Sequence, residues 1–263
     1  MFSRNLDKAK EAFRNKDIEA AKKAHDIKKK SYEKHNIEQG QYIKNVVYGG
    51  LDGIITTFAV VAGVAGAALS PGVVLIMGFA NLIADGLSMA IGDYLSTKAE
   101  IKYKELERER ETWEVEHYPE GEKLELIELY TAKGMEKEDA KTVTEIISKN
   151  KNTWIDIMMV EELGIIEEDE SPVKNALVTF ASFVTFGFIP VLAYVLSRFI
   201  PYFAENTFMI ASVLTGATLF TLGALKVKVT EENWLKSGLE MLIVGGLAAT
   251  AAYIIGNLLS AVA

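Results

Sequence analysis

Long apolar stretches alternate with densely charged ones along this chain, and the boundaries between them are sharp. A helix that crosses a membrane needs roughly 20 apolar residues, because the hydrocarbon core is about 30 Å thick. Five stretches are long enough, and each is rich in the small residues that let membrane helices pack closely. They cover residues 45–69, 72–96, 174–197, 206–225 and 237–262. The pattern predicts an all-α membrane protein with five transmembrane helices.

Charged segments separate these spans and define the predicted organisation of the chain. Residues 1–44 lack the apolar core of a signal peptide and predict a charged helix. Residues 97–171 are dense in Glu and Lys and predict a helical domain inserted between the second and third spans. The predicted order is a charged helix (1–44), transmembrane helices 1 and 2 (45–96), the inserted domain (97–171) and transmembrane helices 3 to 5 (172–263).

Four helical segments are predicted within the inserted region. The second span extends in a polar helix to about residue 118, and helices follow at about 122–133 and 136–148. A short helix, TWIDIMMVEELG, ends at Gly164. Pro119, Glu120 and Gly121 predict a turn between the first two of these helices.

The distribution of basic residues predicts the orientation in the membrane. Of the 28 Lys and Arg residues, twelve lie in 1–44, eleven in 97–171 and three in 226–236. Cytosolic segments are enriched in these residues, so the N-terminus and the inserted domain are predicted to face the cytosol. The net charge of −8 falls mainly on the inserted region and gives no indication of nucleic-acid binding.

The chain contains no cysteine, which excludes disulfides, thiolate metal sites and cysteine nucleophiles. Any metal ion must therefore be held by oxygen, imidazole or thioether ligands. The spans also show neither a paired nucleophile and base nor a histidine–carboxylate metal motif, so an intramembrane hydrolase is not indicated and we expect no enzyme and no prosthetic group.

Several polar side chains fall inside the first two spans. Asp52 lies on a small, polar face of the first span, and Asp85 and Met89 lie one turn apart in the second. A carboxylate inside a membrane costs a few kcal/mol or more, so Asp52 and Asp85 are expected to face a cavity or a partner group. Two interpretations are open for Asp52: an ion path, which its position favours, or a carboxylate that bends or caps a helix. For Asp85 the two are evenly balanced, and Met89 alone is more typical of packing.

Acidic side chains are spaced at helical intervals on both sides of the predicted turn. Glu111 and Glu114 lie three residues apart before it, and Glu122 and Glu125 lie three apart after it. In a helical hairpin the four carboxylates would meet near the bend. On spacing alone, however, a solvated acidic face is the favoured interpretation, because this segment is so rich in Glu.

A second candidate cluster combines sulfur and oxygen ligands. Met158, Met159 and Glu162 share one face of the short helix, since they are spaced at i, i+3 and i, i+4. Thioether and carboxylate together suit a borderline ion such as Fe2+, and carboxylate alone suits Mn2+.

Taken together, these segments resemble the vacuolar iron transporter family over nearly all of residues 41–263. The resemblance rests on GGLDGIITTFAVVAG, ADGLSMAIGDYLSTKAE, the Glu-rich insert and WIDIMMVEELG. It implies a five-span homodimer with the ion path between subunits, and exchange of metal for protons. It also implies that Asp52 and Met89 line that path. The cytosolic metal site that it implies consists of Glu111, Glu114, Glu122, Glu125, Met158, Met159 and Glu162.

The membrane part departs from the family pattern near the entrance. Where iron-transporting members have acidic residues, this chain has Gln41, Asn45 and Asn81, and amides cannot carry protons. Asp85 is a candidate replacement for one of them.

The sequence thus predicts a homodimeric antiporter in the lipid bilayer that exports Fe2+ or Mn2+ from the cytosol, with protons as the counter-ion. Its membrane would be the plasma membrane in a prokaryote and the vacuolar membrane in a eukaryote. The alternative is a membrane-anchored metal sensor or buffer that binds the ion without transporting it.

Overall fold

The computed structural model describes residues 15–20, 37–166, 170–230 and 233–260, with side chains at all of these except 37–41, 43 and 226–230. Most of the predicted N-terminal charged helix lies outside the described residues. Helices α1 to α9 account for residues 37 onward within these ranges, and no strand occurs there. They are α1 Ile37–Gly66, α2 Pro71–His117, α3 Pro119–Ala132, α4 Lys137–Ile147, α5 Lys151–Glu161, α6 Pro172–Leu196, α7 Pro201–Glu205, α8 Thr207–Thr230 and α9 Trp234–Leu259.

The five predicted spans are confirmed as helices long and apolar enough to cross a membrane. They are α1 from Lys44, α2, α6, α8 up to Leu225, and α9. The short helix α7 lies in the connection between the third and fourth spans. It begins at Pro201, whose fixed φ suits the first position of a helix.

Helix α2 continues well beyond any membrane. Its 47 residues correspond to about 70 Å, more than twice the hydrocarbon thickness. The predicted extension to about residue 118 is therefore confirmed. The polar residues after about position 96 place the second half of the helix in water or against other polar segments.

The predicted turn at 119–121 is wrong, because these residues form the first turn of α3. The whole change of direction occurs at Tyr118, which ends α2 and precedes α3 with φ −137° and ψ 55°. The first N–H groups of a helix have no hydrogen-bond partner within the helix. Pro119 has no N–H group, so α3 loses no hydrogen bond by beginning with it. Gly121 leaves room for the ring of Tyr118: a Cβ at position 121 would lie 2.2 Å from that ring, which would have to move. The bend thus consists of the single residue Tyr118, which directly connects the end of α2 to the start of α3.

Glycines set the close packing of α1 against α6 and α9. A Cβ at Gly53 would lie 2.4 Å from the backbone oxygen of Phe183, and one at Gly49 would lie 2.6 Å from that of Thr179. Gly66 approaches the backbone of Tyr253 in the same way. Small residues at these positions let the backbones meet directly, as is usual between membrane helices.

Helices α3 and α5 pack on the far half of α2 around a small hydrophobic core. Val115 of α2, Leu126 of α3 and Trp154 of α5 are all buried in it. Ion pairs join the same helices at the surface: Arg108 with Asp156, Lys133 with Glu161, and Lys151 with Glu116. These contacts fix the direction in which α2, α3 and α5 present their acidic side chains.

Candidate functional site

The acidic residues singled out by their spacing converge at the bend. One carboxylate oxygen from each of Glu111, Glu114 and Glu122 lies within 4.8 Å of the others, and the same holds for Glu122, Glu125 and Glu162. Glu122 belongs to both groups, so the five form one continuous cluster, here named the Glu cluster. The single-residue bend produces this arrangement, because it leaves no loop to separate the end of α2 from the start of α3.

Two members of the Glu cluster are buried. Glu111 is 1% exposed and Glu122 is 4% exposed, and each has one carboxylate oxygen without a hydrogen-bond partner. Glu114 is half-buried, whereas Glu125 and Glu162 are exposed. A buried carboxylate without a partner is costly, and neighbouring carboxylates add repulsion. The cluster therefore favours a proton or a cation among these oxygens.

Burial and repulsion between neighbouring carboxylates both raise the pKa values of acidic residues in the Glu cluster. Burial, followed by the charges of Glu125 and Glu111, raises the pKa of Glu122 to about 7. Burial, followed by the charges of Glu111 and Glu125, raises the pKa of Glu162 to about 6. Burial also raises the pKa of Glu111, despite its hydrogen bond with Arg110. Protons and metal ions thus compete for the same oxygens near neutral pH.

A basic side chain that was not predicted from the sequence reaches into the Glu cluster. The guanidinium of Arg110 lies 3.2 Å from an oxygen of Glu111, 3.6 Å from Glu114 and 2.9 Å from Glu107. Its spacing of four from Glu114 and three from Glu107 was a signal in the sequence. It was hidden because the segment contains so many possible pairs.

The two methionines of the candidate site are buried in the hydrophobic core between α2, α3 and α5. Met158 and Met159 are 0% and 1% exposed and belong to the same hydrophobic core as Val115 and Leu126. Packing alone is enough to account for their burial. Glu162 follows directly after α5, where its backbone N–H donates to the carbonyl of Met158.

The membrane candidates lie on α1 and α2. Asp52 is half-buried, and its carbonyl oxygen accepts a hydrogen bond from the hydroxyl of Thr56. Asp85 on α2 is half-buried as well. Met89 is half-buried and packs against a cluster that contains Leu82 and Phe183. Asp52 and Asp85 thus lie on two different helices, and each leaves part of its surface exposed.

A further carboxylate links three spans, and the sequence analysis gave it no role. One oxygen of Asp93 on α2 accepts hydrogen bonds from Thr179 on α6 at 2.6 Å and from Asn45 on α1 at 3.4 Å. Asn81 donates instead to the hydroxyl of Thr57 at 3.3 Å. The amides at positions 45 and 81 thus serve as structural donors between helices.

Comparison with known proteins places these features in a family. The model of the VIT family matches residues 43–257. A Toxoplasma gondii protein named vacuolar iron transporter is 41% identical, over 98% of this chain and 90% of its own length. One of the same name from Plasmodium falciparum is 37% identical over 98% of both chains. Vacuolar iron transporter 1 of Arabidopsis thaliana is 34% identical over 84% of this chain and 87% of its own length. With five apolar helices and a family match over most of its length, the chain is an integral membrane protein that belongs to the VIT family.

Proposed function

We propose that this protein transports divalent metal ions, Fe2+ or Mn2+, out of the cytosol. The observation that carries the proposal is the Glu cluster, in which two groups of three carboxylate oxygens each fall within 4.8 Å. Clustered anionic oxygens are a suitable ligand set for such ions. The similarity to proteins named vacuolar iron transporter supports iron as the cargo.

In this proposal the Glu cluster captures the ion before it enters the membrane. Glu111, Glu114, Glu122, Glu125 and Glu162 supply carboxylate oxygens, and Met158 and Met159 supply thioether sulfur. Residues 97–171 then act as a cytosolic metal-binding domain between the second and third spans. The eleven Lys and Arg residues of this segment support the cytosolic side, because the predicted outer loops contain almost none.

The path through the membrane is proposed to run past Asp52 and Met89. An ionisable residue within a span normally faces the bundle interior, a water-filled cavity or a partner. Asp52 and Asp85 are both half-buried, so each leaves part of its surface for another protomer or for water. We propose a homodimer in which two copies of α1 and α2 enclose the path.

Exchange with protons is the proposed energy source. Carboxylates must lose their protons to bind metal, so protonation on the low-pH side of the membrane would release the ion. Asp52 and Asp85 are the proposed proton carriers in the membrane, since Asn45 and Asn81 cannot accept a proton. In a eukaryotic cell the low-pH side would be the vacuole lumen.

Flux measurements with purified protein in liposomes test the transport proposal. Mn2+ entry should depend on the protein and should increase when the side that receives the metal is acidic. Metal-independent proton flux measured with a pH dye provides the control. Binding without flux would identify a sensor or buffer and would refute transport.

Cysteine labelling tests the orientation, because the native chain has no cysteine. Lys137→Cys on α4 and Glu205→Cys on α7 place single thiols at exposed positions on predicted opposite sides. In intact bacterial cells that carry the protein in the plasma membrane, an impermeant reagent should label position 205 and leave position 137 unlabelled. The reverse pattern would overturn the proposed direction of transport.

A further inference from the structure

Arg110 occupies a distinctive position among the acidic residues at the bend. Its guanidinium contacts three carboxylates, on Glu107, Glu111 and Glu114, at 2.9, 3.2 and 3.6 Å. Glu111 and Glu114 also belong to the Glu cluster, whereas Glu107 does not. The side chain of Arg110 is 49% exposed, so it reaches the cluster from its solvent edge.

From this geometry we propose that Arg110 is an internal counter-cation that a metal ion must displace. The inference rests on the proposed function of the Glu cluster and adds a determinant of its affinity. Without metal, the guanidinium satisfies one oxygen of Glu111 and partly neutralises Glu114. When a divalent ion binds those oxygens, the guanidinium moves outward and keeps its contact with Glu107.

The chemistry of arginine fits this role. A guanidinium stays charged at every physiological pH, so its competition with metal does not depend on its own protonation. Its planar group forms charge-assisted hydrogen bonds with carboxylates, yet half of its surface is already in water and little is lost when it moves. A monovalent cation gains less than a divalent ion from the same carboxylates, so Arg110 also disfavours occupation by Na+ or K+.

A purely structural role would predict the opposite result. If Arg110 held Glu111 and Glu114 in a binding geometry, its loss would weaken metal binding. If it is a competitor, its loss strengthens binding, by at least about fivefold for one unit charge a few ångströms away in a partly solvated site. The sign of the change therefore separates the two roles.

The experiment is Mn2+ titration by calorimetry on the purified full-length protein and three variants. Arg110→Gln should bind Mn2+ at least about fivefold more tightly than the wild type. Arg110→Lys, which keeps the charge but loses the planar fork, should fall between them. Lys102→Gln is the matched control. It removes one charge from the same helix, about 13 Å from Glu111 along the axis, and Lys102 pairs with Glu105. Its affinity should equal that of the wild type.

The outcomes separate this inference from the proposed function. Unchanged or weaker binding by a folded Arg110→Gln variant, with normal binding by the wild type, would refute the counter-cation role and leave the metal site standing. The same shift in Lys102→Gln and Arg110→Gln would also refute it, by showing a general charge effect. Tighter Mn2+ binding by Arg110→Gln than by the wild type, with unchanged binding by Lys102→Gln, would support the counter-cation role. If neither the wild type nor Arg110→Gln bound Mn2+, the metal site and the counter-cation role would both be wrong. If Arg110→Gln failed to fold, Arg110→Lys would decide: binding no tighter than the wild type would refute the role.

Discussion

The acidic residues at the bend and those in the membrane are organised in opposite ways. In the Glu cluster, five carboxylates from neighbouring segments approach one another closely, and two of them are buried with oxygens left unpaired. In the spans, Asp93 is hydrogen-bonded to two neighbouring helices, and Asp52 and Asp85 are half-buried. The first group forms one contiguous acidic cluster within a single chain, whereas the carboxylates of the second group do not meet in one cluster. The difference is the one expected if the bend is a capture site and the spans hold a transport path, as proposed above.

The largest effect should come from removing charge in the membrane. Asp52→Asn keeps nearly the same side-chain volume, so we expect metal flux in proteoliposomes to fall by about a hundredfold, equivalent to about 2.7 kcal/mol. Mn2+ binding at the Glu cluster should be unchanged. Glu240→Gln near the start of α9 is the control, because it also removes one negative charge from a span, but at an exposed position, and it should transport normally. Normal flux in Asp52→Asn would move the path elsewhere, with Asp85→Asn the next variant to test.

Removing charge at the bend should affect binding more than flux. We expect the double variant Glu111→Ala, Glu114→Ala to bind Mn2+ or Fe2+ at least about tenfold more weakly, because two anionic ligands are lost. At saturating metal its flux should be close to that of the wild type. The double variant Asp139→Asn, Glu145→Gln removes two exposed acidic groups from α4 and should bind normally. Identical affinities for the two double variants, measured by calorimetry, would show that the Glu cluster is only a solvated acidic face.

A helix contact in the membrane part should be sensitive to a single methyl group. Gly53→Ala places a Cβ 2.4 Å from the backbone oxygen of Phe183, so α1 and α6 must separate. We expect the free energy of unfolding to fall by about 1–3 kcal/mol, as in other overpacked cores, and the melting temperature to fall with it. Gly246→Ala on α9 is the control, because a Cβ there meets nothing within 4 Å. Equal melting temperatures for the two variants in a fluorescence assay would contradict this close approach.

The smallest effect should be the response of metal-free stability to pH. The raised pKa values of Glu122, about 7, and Glu162, about 6, mean that the folded state holds more protons than the unfolded state between about pH 4.5 and 7. Metal-free stability should therefore fall as the pH rises through this range, by a few degrees in melting temperature. Mn2+ at about pH 7.5 should restore it, since metal replaces the protons. Glu122→Gln should remove most of this response, and an unchanged response in that variant would show that other groups cause it.

Hydropathy predicted the spans well, because the requirement for an apolar helix is local and leaves its mark at every position. The helices of the insert were also predicted, with their ends shifted by up to three residues. The position of the bend was not, since Pro119 is typical of both a turn and the first position of a helix. Only the structure shows that Tyr118 alone changes the chain direction.

The candidate site was predicted from the sequence less completely than the helices were. Glu111, Glu114, Glu122 and Glu125 had the right spacing, but convergence depends on tertiary packing around Val115 and Leu126. The residues that the sequence missed are those whose partners lie on other helices or in a dense field of charges. Asp93 reaches Thr179 across 86 positions, and Arg110 is one of several basic residues in its segment. No local periodicity marks such pairs.

The length of α2 has a mechanical consequence. Met89 and Glu111 belong to one uninterrupted helix and are separated by 22 positions, or about 33 Å along its axis. With a fulcrum near residue 96, where the apolar part of the helix ends, the arm to Glu111 is 15 positions, or about 22 Å. A tilt of about 10° at that point would sweep the acidic residues sideways by about 4 Å. Small rocking within the lipid would thereby become a displacement close to the 4.8 Å within which the acidic oxygens lie.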